Sequence, residues 1–377
     1  MHRVTILGAG KIGSAIAKLL CLTNDYVVCV GDTDTQALDR LSASLPVTTI
    51  TVDVTDEEAI AQKLAGEDCV VSACPYWANP GIARAAAKAG VNYFDLTEDV
   101  TTTDTVRNIA AKTIAATTSE PIVFAPQCGL APGFINILAH HLCCLFDKLD
   151  EVKLRVGALP QYPTNRLMYN LTWSTKGLIN EYCNPCDVIH EGNRIQAVPL
   201  EELEHFSVNG ANYEAFNTSG GLGTLCETLE GKVRTLNYKT IRYQGHRDLM
   251  AFLLGDLRLS SRRDLLEEIF EYAIPTTKQD VVLSFCTVTG WKDGQFKQVS
   301  DARKIYPRHL DQEQLTAIQI STAASLCAVM DLYLDGEIPH RGFLKQEDIS
   351  LDRFLANRFG RYYNDATGAE NHVPDAA

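Results

Sequence analysis

The stretch from Val4 to Asp32 constrains this chain more than any other part of its 377 residues. Val4-Thr5-Ile6-Leu7 is a short apolar run that stops at Gly8-Ala9-Gly10-Lys11-Ile12-Gly13, a G-x-G-x-x-G pattern. Ala15, Ile16, Leu19 and Leu20 then recur at helical spacing, and Tyr26 to Val30 is a second apolar strand closed by Gly31-Asp32. The glycines serve a tight turn, the approach of a pyrophosphate to the backbone, and close packing of helix on strand. Free amides and the dipole at the helix start then hold the phosphates. Such a pattern alone is common. Following a strand, opening a helix and answered by an acid about 20 residues past its last glycine, it specifies a dinucleotide site. Asp32 accepts both ribose hydroxyls of NAD and repels the 2′-phosphate of NADP. No Arg or Lys follows it directly, so NAD is the expected cofactor; Asp34 reads as a solvated carboxylate.

The next segments repeat the rhythm. Helices are expected at Thr35–Leu45, Ala59–Leu64, Pro80–Ala89 and Thr102–Thr117, and strands at Val47–Val54, Asp68–Ala73, Asn92–Leu96 and Pro121–Ala125. This alternation implies parallel β-α-β units and a Rossmann, doubly wound α/β sheet. Right-handed crossovers gather the loops after Leu7, Val30, Val71 and Leu96 at the carboxyl edge, where ligands bind. Beyond Phe124 the segments lengthen, with antiparallel strands expected at Lys153–Gly157, Asn170–Ser174, Thr235–Tyr243 and Val281–Thr289. The expected division is a dinucleotide domain over 1–127 completed by 310–365, and a second α+β domain with a mixed or antiparallel sheet over 128–309. A polar, frayed tail is expected over 366–377. Asp311-Gln312-Glu313-Gln314 reads as a capping box opening a helix to Leu334 that is apolar almost all round, hence buried.

Charge and composition exclude several classes of partner. A net charge of −13 disfavours nucleic acid, which needs a basic face. No window reads as a membrane span, and the first apolar run is four residues, unlike a signal peptide, so a cytoplasmic chain is expected. Twelve cysteines without regular spacing read as reduced thiols, and the lone Cys183-Asn184-Pro185-Cys186 pair is not expected to bind metal.

Several longer motifs carry a resemblance. They are Gly8–Gly13, Tyr93-Phe94-Asp95-Leu96, and Pro126-Gln127-Cys128-Gly129-Leu130-Ala131-Pro132-Gly133. Further on come Asn170–Leu178, Glu214-Ala215-Phe216-Asn217-Thr218-Ser219-Gly220-Gly221, and Tyr238-Lys239-Thr240-Ile241-Arg242-Tyr243-Gln244-Gly245-His246. Through them the chain resembles the saccharopine dehydrogenase-like family, nearly to Tyr363, and within it the branch that deaminates lysine. The resemblance implies NAD-dependent oxidative deamination of the lysine ε-amine, giving ammonia and the 6-semialdehyde of 2-aminoadipate, which cyclises. A homo-oligomer is expected from family habit and the apolar late helix. The saccharopine-forming reductases carry an additional Arg for the glutamate half of their substrate. Asn217 aligns near it, which favours a free amino acid. A saccharopine or carboxyspermidine type reductase stays open as the alternative, and a non-catalytic dinucleotide sensor is the reading outside enzymes.

Residue roles follow from the chemistry. Hydride leaves the carbon bearing a neutral amine, so a base is needed, and water attack needs a second proton acceptor. Asp95, ending the fifth strand, is expected to hold the ammonium or act as base; Glu98 and Asp99 just beyond it either share that work or are helix-start acids. His246 is either the water-activating base or a buried hydrogen-bonded histidine, and Lys176 either a further candidate for that role or a solvated side chain. Arg242 is expected to grip the α-carboxylate. Thr240, Tyr243 and Asn217 are placed beside it, and Tyr76, with Trp77, as pocket walls. Cofactor contacts are assigned to Gly8, Gly10, Lys11, Ile12 and Gly13, and to Asp32, Asp53 and Val54 at strand ends. Ser72, Ala73 and Cys74 after the fourth strand, and Cys128 and Gly129, complete that set.

Overall fold

The computed structural model describes residues 1–116, 122–208, 210–310, 313–338 and 341–366. The first part runs β1 (His2–Leu7), α1 (Lys11–Cys21), β2 (Tyr26–Asp32), α2 (Thr35–Ser44), β3 (Thr48–Thr51) and α3 (Glu57–Lys63). It continues with β4 (Cys69–Ser72), α4 (Asn79–Ala89), β5 (Asn92–Asp95), α5 (Val100–Ala116) and β6 (Val123–Ala125). Val4 to Leu7 and Cys69 to Ser72 are buried without alternation, as strands covered on both faces must be. Asp34 is exposed, as expected of a solvated carboxylate, and also caps α2 by accepting the amides of Gln36 and Ala37. At Gly13 a Cβ would lie 1.9 Å from the carbonyl oxygen of Gly8, so only glycine lets α1 sit this close to the turn.

The second part runs α6 (Phe134–Cys143), β7 (Lys148–Pro160), α7 (Thr175–Cys183), β8 (Cys186–His190), β9 (Asn193–Ala197), β10 (Glu204–Val208) and β11 (Ala211–Asn217). After α8 (Leu225–Leu229) come β12 (Thr235–Tyr243), α9 (His246–Ala251), α10 (Arg263–Ala273), β13 (Asp280–Lys292) and β14 (Gln295–Ile305). The chain closes with β15 (Arg308–Leu310), β16 (Glu313–Leu315), α11 (Ala317–Leu334), β17 (Gly342–Phe343) and α12 (Leu351–Ala356).

Seven parallel strands form the first sheet in the order β17-β6-β5-β4-β1-β2-β3. The order reverses between β1 and β4, where Leu7 pairs with Ser72, and the crevice beyond such a switch point is where ligands sit. The second sheet has eight strands, ordered β10-β11-β12-β7-β13-β14 with β8 and β9 joined at β12. Within it β7 runs parallel to β12 and antiparallel to β13, a mixed sheet. The last segment returns to the first sheet: β17 pairs with β6, and α11 packs on α1 in the largest apolar cluster.

Several expectations need correction. The segment 170–174 forms no strand; Leu171 makes one isolated bridge, to Thr276. The third strand stops at Thr51, before Asp53. Asp311 and Gln312 lie outside the described residues, and Glu313 belongs to β16 instead of a helix start. The cap of α11 is Thr316, in a capping box with Gln319, reinforced by Asp280, whose carboxylate accepts the amides of Ala317 (2.6 Å) and Ile318 (2.9 Å). That helix is long and apolar enough to span a membrane by composition, contrary to the sequence reading, but its surface is spent inside the fold. Residues 367–377 of the expected tail lie outside the described residues.

Candidate active site

A cavity of about 550 Å³ opens between the carboxyl edge of the parallel sheet and one face of the mixed sheet. Its first wall comes from Ile12, the loop Ala73–Trp77 after β4, Leu96–Glu98 after β5, and Gly129–Pro132. The opposite wall is Val156–Ala158 of β7 together with Tyr238, Thr240 and Arg242 of β12. Those three are two residues apart, so the strand turns them to one face and Lys239 and Ile241 to the other. Lys239 there donates to Glu204 (2.8 Å), and Ile241 joins a separate apolar cluster. Trp173, Lys176, Asn180 and Glu181 around α7, with Arg263, Asp264 and Glu267 of α10, complete the enclosure.

Two carboxyls with raised pKa and one buried guanidinium stand in its wall. Glu181 is buried, and burial pushes its pKa up to about 8, against the pull of Arg242 and with the repulsion of Glu98. Glu98, half-buried in the wall, is pushed up to about 7 by burial, with Asp99 and Asp95 adding repulsion. Arg242 is buried, its Nε donating to the Tyr182 hydroxyl (2.7 Å) and its Nη1 to the Ile241 carbonyl (2.8 Å). The rings of Tyr169 and Tyr182 lie 5.1 and 5.6 Å from the guanidinium carbon. Glycines make this wall possible. A Cβ on Gly220 would meet the Glu98 carbonyl oxygen at 2.9 Å, and one on Gly221 would enter the Tyr238 ring at 2.4 Å. Nearby, Lys176 lies 3.7 Å from Glu267, and Arg263 donates to the Asn180 side chain (3.0 Å).

The residues of the first sheet fit a dinucleotide. No side chain caps the first amides of α1, and the Cβ direction of Gly10 is open, leaving room and donors for an anion. The Asp32 carboxylate accepts the amides of Ala9 (2.6 Å) and Asp34 (2.9 Å), bracing the glycine turn while each oxygen keeps acceptor capacity for a ribose hydroxyl.

Of the residues singled out from sequence, Ile12, Ala73, Cys74, Tyr76, Gly129, Thr240 and Arg242 line the cavity. Others do not. Asp95 is fully buried behind the wall, where it accepts from the Tyr93 hydroxyl (2.7 Å) and the amides of Thr97 (2.8 Å) and Gln127 (3.0 Å). Burial raises its pKa to about 6, but its work is to tie β5 to the loop at Gln127. His246 is buried with both ring nitrogens engaged, by Leu167 and Tyr182, and burial next to Arg242 lowers its pKa to about 3. Tyr243 donates to the Pro160 carbonyl (2.9 Å) on the far face, and Asn217 is buried against Val198. Ser72 donates to Asn79 (2.7 Å), Cys128 to the Ala125 carbonyl (3.1 Å), and Asp53 is folded onto Thr55.

Glu181 and Tyr238 were missed from the sequence, and Glu98 was left between sharing the base's work and starting a helix. The signal for Glu181 was present: Gly177 and Glu181 stand four apart on α7, and Trp173 packs on that glycine. An acid in a helix otherwise reads as solvated, and only the tertiary fold shows that this face is enclosed.

Residues 4–120 match the family model described as saccharopine dehydrogenase NADP binding domain, and residues 129–359 the saccharopine dehydrogenase C-terminal domain. The chain is 24% identical over 330 residues to saccharopine dehydrogenase [NADP(+), L-glutamate-forming] of Saccharomyces cerevisiae, covering 78% of this chain and 69% of that one. It is 22% identical over 263 residues to mitochondrial alpha-aminoadipic semialdehyde synthase of Rattus norvegicus, covering 65% of this chain but only 27% of that protein. The structure of apo saccharopine dehydrogenase (L-Glu forming) from Saccharomyces cerevisiae superposes with a TM-score of 0.77 at 17% identity, over 94% of this chain and 96% of that one. That likeness establishes a shared fold.

Proposed function

The chain belongs to the saccharopine dehydrogenase family, and from that premise we propose that it uses NAD to oxidise the ε-carbon of a lysyl skeleton at its C–N bond. The observation that carries this reading is the placement of Glu98 and Glu181 with Arg242 in one cavity at the switch point of the first sheet. A guanidinium suits the α-carboxylate, and carboxyls held near neutrality suit an amine that must be bound as a cation and then relieved of a proton.

The residues divide the work as follows. Arg242 holds the carboxylate at the floor, and Glu181, close enough to feel that guanidinium, holds the α-ammonium. Glu98, next to the loops of the first sheet, takes a proton from the ε-ammonium and frees its lone pair. NAD, when bound, accepts the hydride from the ε-carbon; Gly8, Gly10 and Gly13 with the start of α1 would hold its pyrophosphate and Asp32 its ribose. The substrate C–N bond becomes an imine, water adds to its carbon with Glu98 relaying protons, and the nitrogen leaves with its substituent. A 6-semialdehyde of 2-aminoadipate results.

The nitrogen substituent separates two finer readings. With free lysine the leaving group is ammonia, and the protein is a lysine 6-dehydrogenase; Asp32 and the long motif run support this. With saccharopine the leaving group is glutamate. The likeness to a saccharopine dehydrogenase favours this second reading more directly, and Arg263 and Lys176 in the cavity wall offer cations to a second pair of carboxylates. Asn217 no longer weighs against it, because that side chain does not reach the cavity. Absorbance of reduced cofactor, followed with L-lysine and with saccharopine against NAD and NADP, tests both. Turnover of lysine with NAD supports the first reading, saccharopine turnover the second, and inactivity towards both rejects the proposal.

A further inference from the structure

His246, Tyr182 and Glu214 are buried, carry hydrogen bonds of matching direction, and take no part in the steps above. We propose that they form a positioning chain that fixes the plane of the Arg242 guanidinium, so that Tyr182 and His246 set carboxylate recognition without handling a reacting proton. This rests on the reading that Arg242 receives the substrate carboxylate.

The chain has one consistent polarity. His246 Nδ1 lies 2.8 Å from the Leu167 carbonyl, which can only accept, so the proton sits on Nδ1 and Nε2 is an acceptor. The Tyr182 hydroxyl, 3.0 Å from Nε2, therefore donates to it, and its remaining lone pairs receive Arg242 Nε–H at 2.7 Å. With Nη1 bonded to the Ile241 carbonyl, two of the three guanidinium nitrogens are committed inside the protein. Nη2 has no hydrogen-bond partner among the described residues and stays available at the cavity.

The far end of the chain is anchored as well. Glu214, opposite Arg242 in the β11–β12 register, accepts the amides of Gly245 (2.9 Å) and Arg247 (2.6 Å), the residues on either side of His246. Gly245 takes a φ of +92°, a turn that suits glycine. The His246 ring then stacks near Phe216, with an interplanar angle of 11°, and tilts against Tyr169, 5.4 Å away. Each ring in the chain is thus held on its faces as well as at its polar atoms. Burial and Arg242 keep His246 neutral across the working pH range, so the polarity does not invert.

The test uses the protein loaded with NADH, which can accept no hydride, and two probes, L-norleucine, which carries a carboxylate, and 1-aminopentane, which does not. Calorimetry on Tyr182→Phe is expected to show L-norleucine binding weakened about tenfold, the loss of one hydrogen bond to a charged group, with NAD and 1-aminopentane binding unchanged. His246→Asn, which retains a donor for Leu167, is expected to raise KM for the reacting substrate far more than it lowers kcat, and to leave the shape of the pH profile as in the wild type. Norleucine binding indifferent to both substitutions overturns the proposal, as does an equal loss of both probes. A collapse of kcat at unchanged KM in His246→Asn also overturns it. If neither lysine nor saccharopine is oxidised while norleucine binding keeps its dependence on Tyr182, the proposed function fails and the positioning chain stands.

Discussion

At the scale of single residues, burial combined with a place on the cavity wall singles out the two acids that the proposed function employs. Glu98 and Glu181 ionise near about 7 and about 8 because their charged forms are poorly solvated. kcat/KM is therefore expected to rise with pH through that range and level above it, and Glu98→Gln to lower it by about 100-fold, as loss of a general base does. A second consequence concerns stability. An unfolded glutamate titrates near about 4.3, so the folded chain binds the Glu181 proton more tightly than the unfolded one. The resulting stabilisation is present in full below the unfolded value and is lost as pH rises through about 8. Glu181→Gln stays neutral, so thermal melts should place it several degrees above the wild type in alkaline buffer and level with it in acid. Asp32 carries a different prediction: Asp32→Asn should improve NADP affinity at least about tenfold over the wild type in a binding titration, as the repulsion of the 2′-phosphate goes. Arg242, singled out from the sequence, does line the cavity, while its grip on a carboxylate belongs to the proposal. Asp95 was misplaced, and His246 stayed open between base and buried hydrogen-bonded side chain, because sequence shows a titratable group without showing that its lone pairs are already taken.

Among elements, the strand–turn–helix at the start was fully legible, since period, glycines and terminal acid all point to one arrangement. The regular helices and strands of the first 125 residues were legible for the same reason. The segment at 170–174 and the start of α11 were not, because β-branched and apolar residues near a turn satisfy strand and loop patterns alike, and caps can come from distant chain. Asp280 is such a cap: it enters from β13 and takes two amides at the start of α11. Gln319, one turn into that helix, in turn donates to the Lys11 carbonyl beside the glycine loop (3.1 Å). Asp280→Ala leaves two buried helix amides without acceptors and is expected to destabilise the chain by about 2–4 kcal/mol, measured by urea unfolding. Because the same helix start borders the cavity through Ile318 and Thr322, weaker NAD binding should accompany the loss.

For the whole molecule, the two sheets are joined by a chain that leaves the first after β6 and rejoins it with α11 and β17. Deleting residues 313–366 would strip the cover from α1 and expose the β6 edge. The expected result is a chain that neither binds NAD nor melts cooperatively, read by titration and calorimetry. The return to the first domain was visible in the apolar late helix, whereas the two-residue β17 carries too little pattern to be read in advance. The same routing has a bearing on synthesis. A ribosome delivers the glycine loop first, yet the helix that seats against it emerges only after some 180 further residues of the mixed sheet have appeared. The nascent nucleotide fold thus waits, with one flank bare, for the substrate half to be made, and a cell that interrupts translation in that interval is left with a fragment bound for chaperones or proteases and not with half an enzyme.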